Sequence, residues 1–257
     1  MFRALRIGIL LLVLFVVSVS TWLTRARSTD WNNTLWVRVY PINADGSDAS
    51  RNYIDGLRVE DFAAVESFVE REIRRYGHEL ERPVRMELGR EIPEQPPMPG
   101  SNPRLPDIIW WSLRMRWWAG RMTADQDHPA PDVRIFVRYH APASRFLLEN
   151  SVGMQKGMVG IVNAFADRRQ AGSNNVIIAH EFLHTLGATD KYDPSNGMPA
   201  YPHGFAEPDW EPRYPQRYAE IMGGRIAVSE HDAMVPGSLR FVVIGAQTAE
   251  EIRLVEP

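Results

Sequence analysis

The chain has 257 residues, 44% hydrophobic and 24% charged, with 19 Pro, 18 Gly and no Cys. That composition excludes a low-complexity polymer, a disulfide-stapled miniprotein, a zinc ribbon, an iron–sulfur protein and a cysteine nucleophile, and it leaves His, Asp and Glu as metal ligands. The formal net charge of −3 conceals an asymmetry: the first 27 residues hold four of the 29 Lys and Arg and no acid, so the rest carries 25 basic against 32 acidic groups, a net of −7. An acidic body argues against binding a phosphate backbone, so no nucleic-acid partner is expected.

Ile7 to Leu23 is a run of 17 uncharged residues, preceded by Arg3 and Arg6 and followed by Arg25 and Arg27. A membrane-spanning helix takes about 20 apolar residues and a signal-peptide core about 7–15, so the run lies between the two. Trp22 and the downstream arginines favour an uncleaved anchor, whereas Ser18 and Ser20 offer a small-x-small cleavage site; a buried N-terminal helix is the bland alternative. With the basic end held inside, the body is expected outside the cytoplasm, periplasmic or extracellular: membrane-anchored through the N-terminal segment, or secreted if that segment is removed. The chain divides accordingly into residues 1–27 and a domain over 28–257.

Leu35 to Tyr40 alternates as LWVRVY and predicts a strand, followed by the turn-rich NADGSD. Phe62, Val65, Val69, Ile73 and Tyr76 recur at helical spacing, with Glu60 and Asp61 at the start, Arg71, Arg74 and Arg75 near the end and Gly77 beyond, which predicts a helix. VRMEL after Pro83 reads as a second strand. The prolines from Pro93 to Pro106 are too dense for regular structure and predict a loop. In DIIWWSLRMRWWAGRM, Trp111, Met115, Trp118 and Met122 form one helical stripe and Ile109, Leu113 and Trp117 another, so the helix is expected to be buried on more than one side; a basic, aromatic face lying on a membrane is the rival reading. VRIFVRY from Val133 to Tyr139 and GMVGIVNAF from Gly157 to Phe165 read as further strands. The pattern continues across the proline-rich loop, so one α+β or α/β domain is expected rather than two.

Within VIIAHEFLHTLGATD, His180, Glu181 and His184 form an HExxH. Ser173 and Asn174 are expected to cap its helix, with Ile177, Ile178, Phe182 and Leu183 buried. Imidazoles at i and i+4 share a helix face and can reach one Zn²⁺, while Glu181, beside the first ligand, can take a proton from a water that the metal activates. Gly187 can stop the helix sharply and swing Asp190 back as a third ligand, leaving one position open as in a catalytic zinc site. Asp193, His203, Glu207 and Glu220 are alternative third ligands. His78, His128, His140 and His231 have no partner at ligand spacing. Tyr192 and Tyr218 are the phenols able to reach an oxyanion, although packing or surface roles suit both.

HEFLHTLGATD resembles the metzincin zinc-binding signature, with Asp190 where most members carry a third His and the snapalysin-like branch carries Asp. AEIMGG around Met222 is similar to the metzincin Met-turn, although Met222 also reads as a core methionine. The resemblance covers about 50 residues, from Val176 to about Gly224. It implies a metzincin-like α+β domain with a mixed sheet, an active-site helix and a smaller C-terminal subdomain. It further implies a zinc peptidase acting on a peptide or protein substrate, with His180, His184 and Asp190 on Zn²⁺, Glu181 as catalytic base and an edge strand near Gly157 to Phe165 pairing with an extended substrate. The alternative is a non-catalytic envelope protein with a structural zinc or a peptide-binding scaffold. Glu181 separates the two, since a purely structural site has no use for an acid beside its first ligand.

Overall fold

A computed structural model describes residues 6, 8, 29–98, 100, 104–124, 129–142, 152–154 and 158–255. The apolar run Ile7 to Leu23 lies, apart from Gly8, outside the described residues, as do His128 and Gly157. Among the described residues no helix is long and apolar enough to cross a membrane.

Strand β1, Leu35–Asn43, outruns the alternating hexapeptide because both of its faces are covered. Such a strand reads as a nearly continuous apolar run rather than an alternation. The NADGSD turn leads into a helix that the sequence reading leaves out, α1, Asp48–Asp55. Its signal is slight: Ser47 accepts from the Ser50 amide at 3.1 Å, and Ile54 is its one buried apolar side chain. Helix α2, Ala63–Arg75, follows a 3₁₀ turn at Val59–Phe62 and buries Val65, Phe68, Val69 and Ile73, close to the stripe expected. Its arginines do more than complement a helix terminus. Buried Glu72 holds Arg71 and Arg75 and accepts from the Ile244 amide at 2.9 Å, while Arg71 donates to Val242 O at 2.8 Å.

Strand β2, Val84–Leu88, forms as predicted. The proline-rich loop ends earlier than expected, because Pro106 sits in the first turn of helix α3, Leu105–Met122, where a missing N–H costs nothing. The tryptophan stripes then part ways. Met115 and Trp118 are buried, with the Trp118 ring 4.7 Å from that of Phe136, but Ile109, Leu113 and Trp117 are 52–65% exposed. The expectation of burial on more than one side is therefore corrected: one sheet face receives one helix stripe, and among the described residues no second layer packs on the other.

Strands β3, Val133–His140, β4, Val152–Met154, and β5, Val159–Phe165, complete a sheet in the order β2-β1-β3-β5-β4. The first four strands are parallel and β4 is antiparallel to β5. The sheet is thus mixed, and the fold is a mixed α and β one consistent with α+β. The segment expected at the edge, β5, is interior, with β3 on one side and β4 on the other; the edge belongs to β4.

Helices α1, α2 and α4, Ala171–Leu186, lie over one face of the sheet, where Val37, Val39, Phe68, Ile135, Val162 and Phe182 share a core. Helix α3 covers the other face through Tyr40, Ile42, Met115, Trp118 and Phe136. The C-terminal part carries short strands β6, Ala219–Glu220, β7, Ile226–Ala227, β8, Ala233–Met234, and β9, Val242–Val243, before helix α5, Ala246–Glu251. β6 pairs with β9 and β7 with β8, and Ile221, Met222, Val242, Ile244 and Ile252 join the core beneath α4.

Candidate metal centre

Helix α4 enters differently from the expectation. It begins at Ala171, after a 3₁₀ turn capped by Asp167, so Ser173 and Asn174 lie within its first turns. Asn174 instead accepts from the Phe165 amide at 3.2 Å and donates to the Phe165 carbonyl at 2.9 Å, tying the helix to the end of β5. Ile178, Phe182 and Leu183 are buried, as expected, and Ile177 is partly so. Gly160 of β5 lies under α4, where a Cβ would be in ordinary contact with Glu181 Cβ at 3.7 Å but would press on Ile135 Cδ1 of β3 at 2.8 Å.

Gly187 ends α4 at φ 114°, a conformation that L side chains adopt only with strain. Its amide and that of Ala188 both donate to Leu183 O at 3.1 Å, and the Ala188 carbonyl turns back to within 2.8 Å of His184 Nδ1. His180 Nδ1 lies 2.8 Å from the Ile221 carbonyl, one residue before Met222. A carbonyl can only accept, so each Nδ1 carries the proton and a neutral ring presents a lone pair at Nε2. Those two Nε2 atoms are 3.0 Å apart, and Asp190 Oδ1 is 3.2 Å from the first and 3.0 Å from the second. Two lone pairs and a carboxylate oxygen converge on one point. Such an arrangement is stable only around a cation, either a proton or a metal ion.

His180, Glu181 and His184 offer ligand atoms within 4.8 Å of one another, so this group could hold a metal ion. The residues also fit one by orientation, because the Ile221 and Ala188 carbonyls already hold both imidazoles by their outer nitrogens. Glu181 is buried, and its Oε2 has no hydrogen-bond partner. Burial pushes its pKa up to about 7, with His180 and His184 opposing and Asp190 reinforcing the rise. Burial acts to raise the Asp190 pKa as well, but with a proton rather than a metal between the groups, hydrogen bonds donated by the charged rings of His180 and His184 outweigh it and hold the carboxyl well below the usual range. For His180, burial acts to lower the pKa, yet the Asp190 hydrogen bond, the Glu181 charge and the Ile221 carbonyl together carry it upward.

The structure brings Asp190 to the imidazoles and leaves the alternatives elsewhere. The Asp193 carboxylate accepts from Ser195 and Asn196 in its own turn, Glu207 pairs with Arg217, and His203 is exposed. Glu220 is buried and accepts from the amides of Met222, Gly223 and Gly245 and from the Thr248 hydroxyl, at 2.7–3.0 Å. It shapes the turn that carries Ile221 and Met222. Tyr192 lies near the centre, its ring 6.5 Å from that of His180, with burial and the Asp190 and Glu181 charges raising its pKa. Tyr218 is instead partly exposed beside Arg217. His78 binds the Leu254 carbonyl and His140 the side chain of Asn163.

Sequence reasoning missed the device that holds Asp190. On either side of it, Thr189 and Lys191 both bind Glu251 of α5: the Thr189 hydroxyl at 2.6 Å, its amide at 2.9 Å and Lys191 Nζ at 2.7 Å. The Lys191 amide also donates to Met222 O at 2.9 Å. A carboxylate 60 residues downstream of Lys191 has no local signal to announce it. No protein-family model matches the chain, and no curated protein is significantly similar to it.

Proposed function

We propose that the chain is a zinc peptidase of metzincin-like, snapalysin-like type, with His180, His184 and Asp190 as the metal ligands. The observation that carries this reading is Glu181: a buried carboxylate with an unpartnered oxygen, one residue from the first of three converging ligands. A structural site needs no such group, and its burial costs stability unless it is used. When bound, zinc supplies Lewis-acid polarisation of a water and of the scissile carbonyl.

Everything else falls to the chain. Glu181, held near neutrality by burial, accepts a proton from the attacking water and returns it to the departing amine. The Ile221 and Ala188 carbonyls keep both imidazoles in the tautomer that presents Nε2. Tyr192, whose ring lies 6.5 Å from that of His180, donates its phenol to the developing oxyanion. An extended peptide adds to the β4 edge of the sheet, the role first expected of β5. Met222, buried beneath the turn that holds His180, supports the likeness to a Met-turn. The body acts outside the cytoplasm, on a peptide or protein substrate, and reaches the membrane through its N-terminal segment.

Glu181→Gln tests the reading, since it keeps the shape of the side chain and removes the base. Metal content and folding persist, while cleavage of unstructured protein substrates falls by about 10²–10⁴-fold. Equal cleavage by both forms, or none by a fully zinc-loaded wild type across a broad peptide library, leaves the peptide-binding scaffold as the better account.

A further inference from the structure

Helix α3 presents to solvent a face that neither the core nor the metal centre uses. Leu105, Ile109, Trp110, Leu113 and Trp117 are 52–71% exposed. At about 100° per residue they form one continuous stripe opposite Met115, Trp118 and Ala119, which pack on the sheet. Single exposed apolar residues are ordinary on a protein surface, whereas a stripe of five large ones marks a docking surface.

The margins of the stripe are basic. Arg114 and Arg121 flank one side and Arg116 the other, and Arg121 lies over the Trp117 ring at 5.0 Å while pairing with Glu94. The one acid of the helix, Asp107, is engaged at its start by the Arg104 amide at 3.0 Å. The body as a whole carries a net charge of −7, so positive charge has been gathered on this face. Tryptophan and arginine suit the headgroup region of a bilayer, where an indole spans the polar boundary and a guanidinium binds phosphate. A second copy of the chain is the poorer occupant, because two-fold pairing of α3 would set its arginines against arginines.

Tether length adds a geometric argument. Five residues separate Leu23, the end of the uncharged run, from Thr29, which is buried in the folded body. Six steps of about 3.3–3.6 Å from Leu23 to Thr29 span ~22 Å at most, so a run seated in a bilayer keeps the body near its surface.

We propose that the outer face of α3 lies on an anionic bilayer, with Trp110 and Trp117 at headgroup depth and Arg114 on lipid phosphate. The inference is independent of the peptidase reading and draws on the sequence reading of Ile7 to Leu23 as a membrane segment.

The chain has no cysteine, so single labels are unambiguous. Full-length Leu113→Cys, Glu230→Cys and Leu10→Cys proteins carry an environment-sensitive fluorophore into vesicles of phosphatidylcholine, alone or mixed with phosphatidylglycerol. The label at 113 shifts to the blue on the anionic vesicles and becomes accessible to a lipid-borne quencher. The label at 230 stays in water. Adding Arg114→Gln lowers the ratio of docked to undocked label about fivefold, as for loss of one basic group near a charged surface. A label at 113 that stays in water on anionic vesicles overturns the proposal, and so does one shielded equally in detergent, where a second copy would cover it. The label at 10 reports the anchor separately: if it stays in water, the anchor reading falls, and the α3 face is still judged by position 113 alone.

Discussion

At Gly187 the backbone stands at φ 114°, and at Gly77, after the end of α2, it stands at φ 87°. A Cβ in this region costs roughly 1–2 kcal/mol, so Ala at either position lowers stability by a similar amount, measurable by denaturant titration. Only Gly187 also sets the direction of the chain towards Asp190. Gly187→Ala is therefore expected to weaken metal binding about tenfold or more, while Gly77→Ala leaves it unchanged. Equal metal affinity in the two variants would mean that Asp190 finds its place without the helix stop. The spacing of His180, Glu181, His184, Gly187 and Asp190 was legible because all five lie within 11 consecutive residues, where helical geometry fixes side-chain positions. The carbonyls of Ile221 and Ala188 were not, since every residue has one and no side chain marks those that are used.

Two-residue strands and a six-residue helix make the C-terminal part weak in periodic signal, yet they position the site. Helix α5 presents Glu251 to Thr189 and Lys191, bracketing Asp190. Glu251→Gln removes the charge of that clamp without touching a ligand, so metal affinity is expected to fall, by less than the about 10–100-fold that follows loss of a group bonded directly to a ligand. Competition with a chelator measures it. The same clamp depends on pH. Burial acts to raise the Glu251 pKa, but the Lys191 and Thr189 hydrogen bonds outweigh it and hold the group below its ordinary 4.5. A depressed carboxyl pKa stabilises the fold above that ordinary value and loses its contribution as pH falls through the folded value. The stability gap between wild type and Glu251→Gln is thus full above pH 4.5 and closes under more acid conditions; a gap that widens in acid would show that the charge strains the fold instead. Long elements with a single dominant period, such as α2, were read close to their bounds. α1 and β4 were not, since eight and three residues carry too little pattern, and the two faces of α3 could not be ranked because each presents large apolar residues at helical spacing.

For the whole molecule, the site is a joint between parts that are distant in sequence. His180 and His184 stand on α4, Asp190 follows its terminal turn, and the carbonyl that orients His180 belongs to Ile221, 41 residues further on. Without a cation, the lone pairs gathered there repel one another and destabilise the folded arrangement of His180, His184 and Asp190. A bound ion reverses that sign, and because the unfolded chain has no such arrangement, binding adds directly to folding stability. Zinc at a free concentration 100 times its dissociation constant contributes about 2.7 kcal/mol. In a domain of this size each kcal/mol moves Tm by about 2–4 °C, so zinc is expected to raise Tm by roughly 5–10 °C over a chelator-treated sample. His184→Ala should melt at the same temperature with zinc or chelator, whereas Glu181→Gln should keep the full shift, since its carboxylate is assigned to proton transfer and not to the metal. If the wild type melts identically in both conditions, the converging groups are held by protons alone and the zinc reading fails. If His184→Ala keeps the shift, the ion sits elsewhere on the chain.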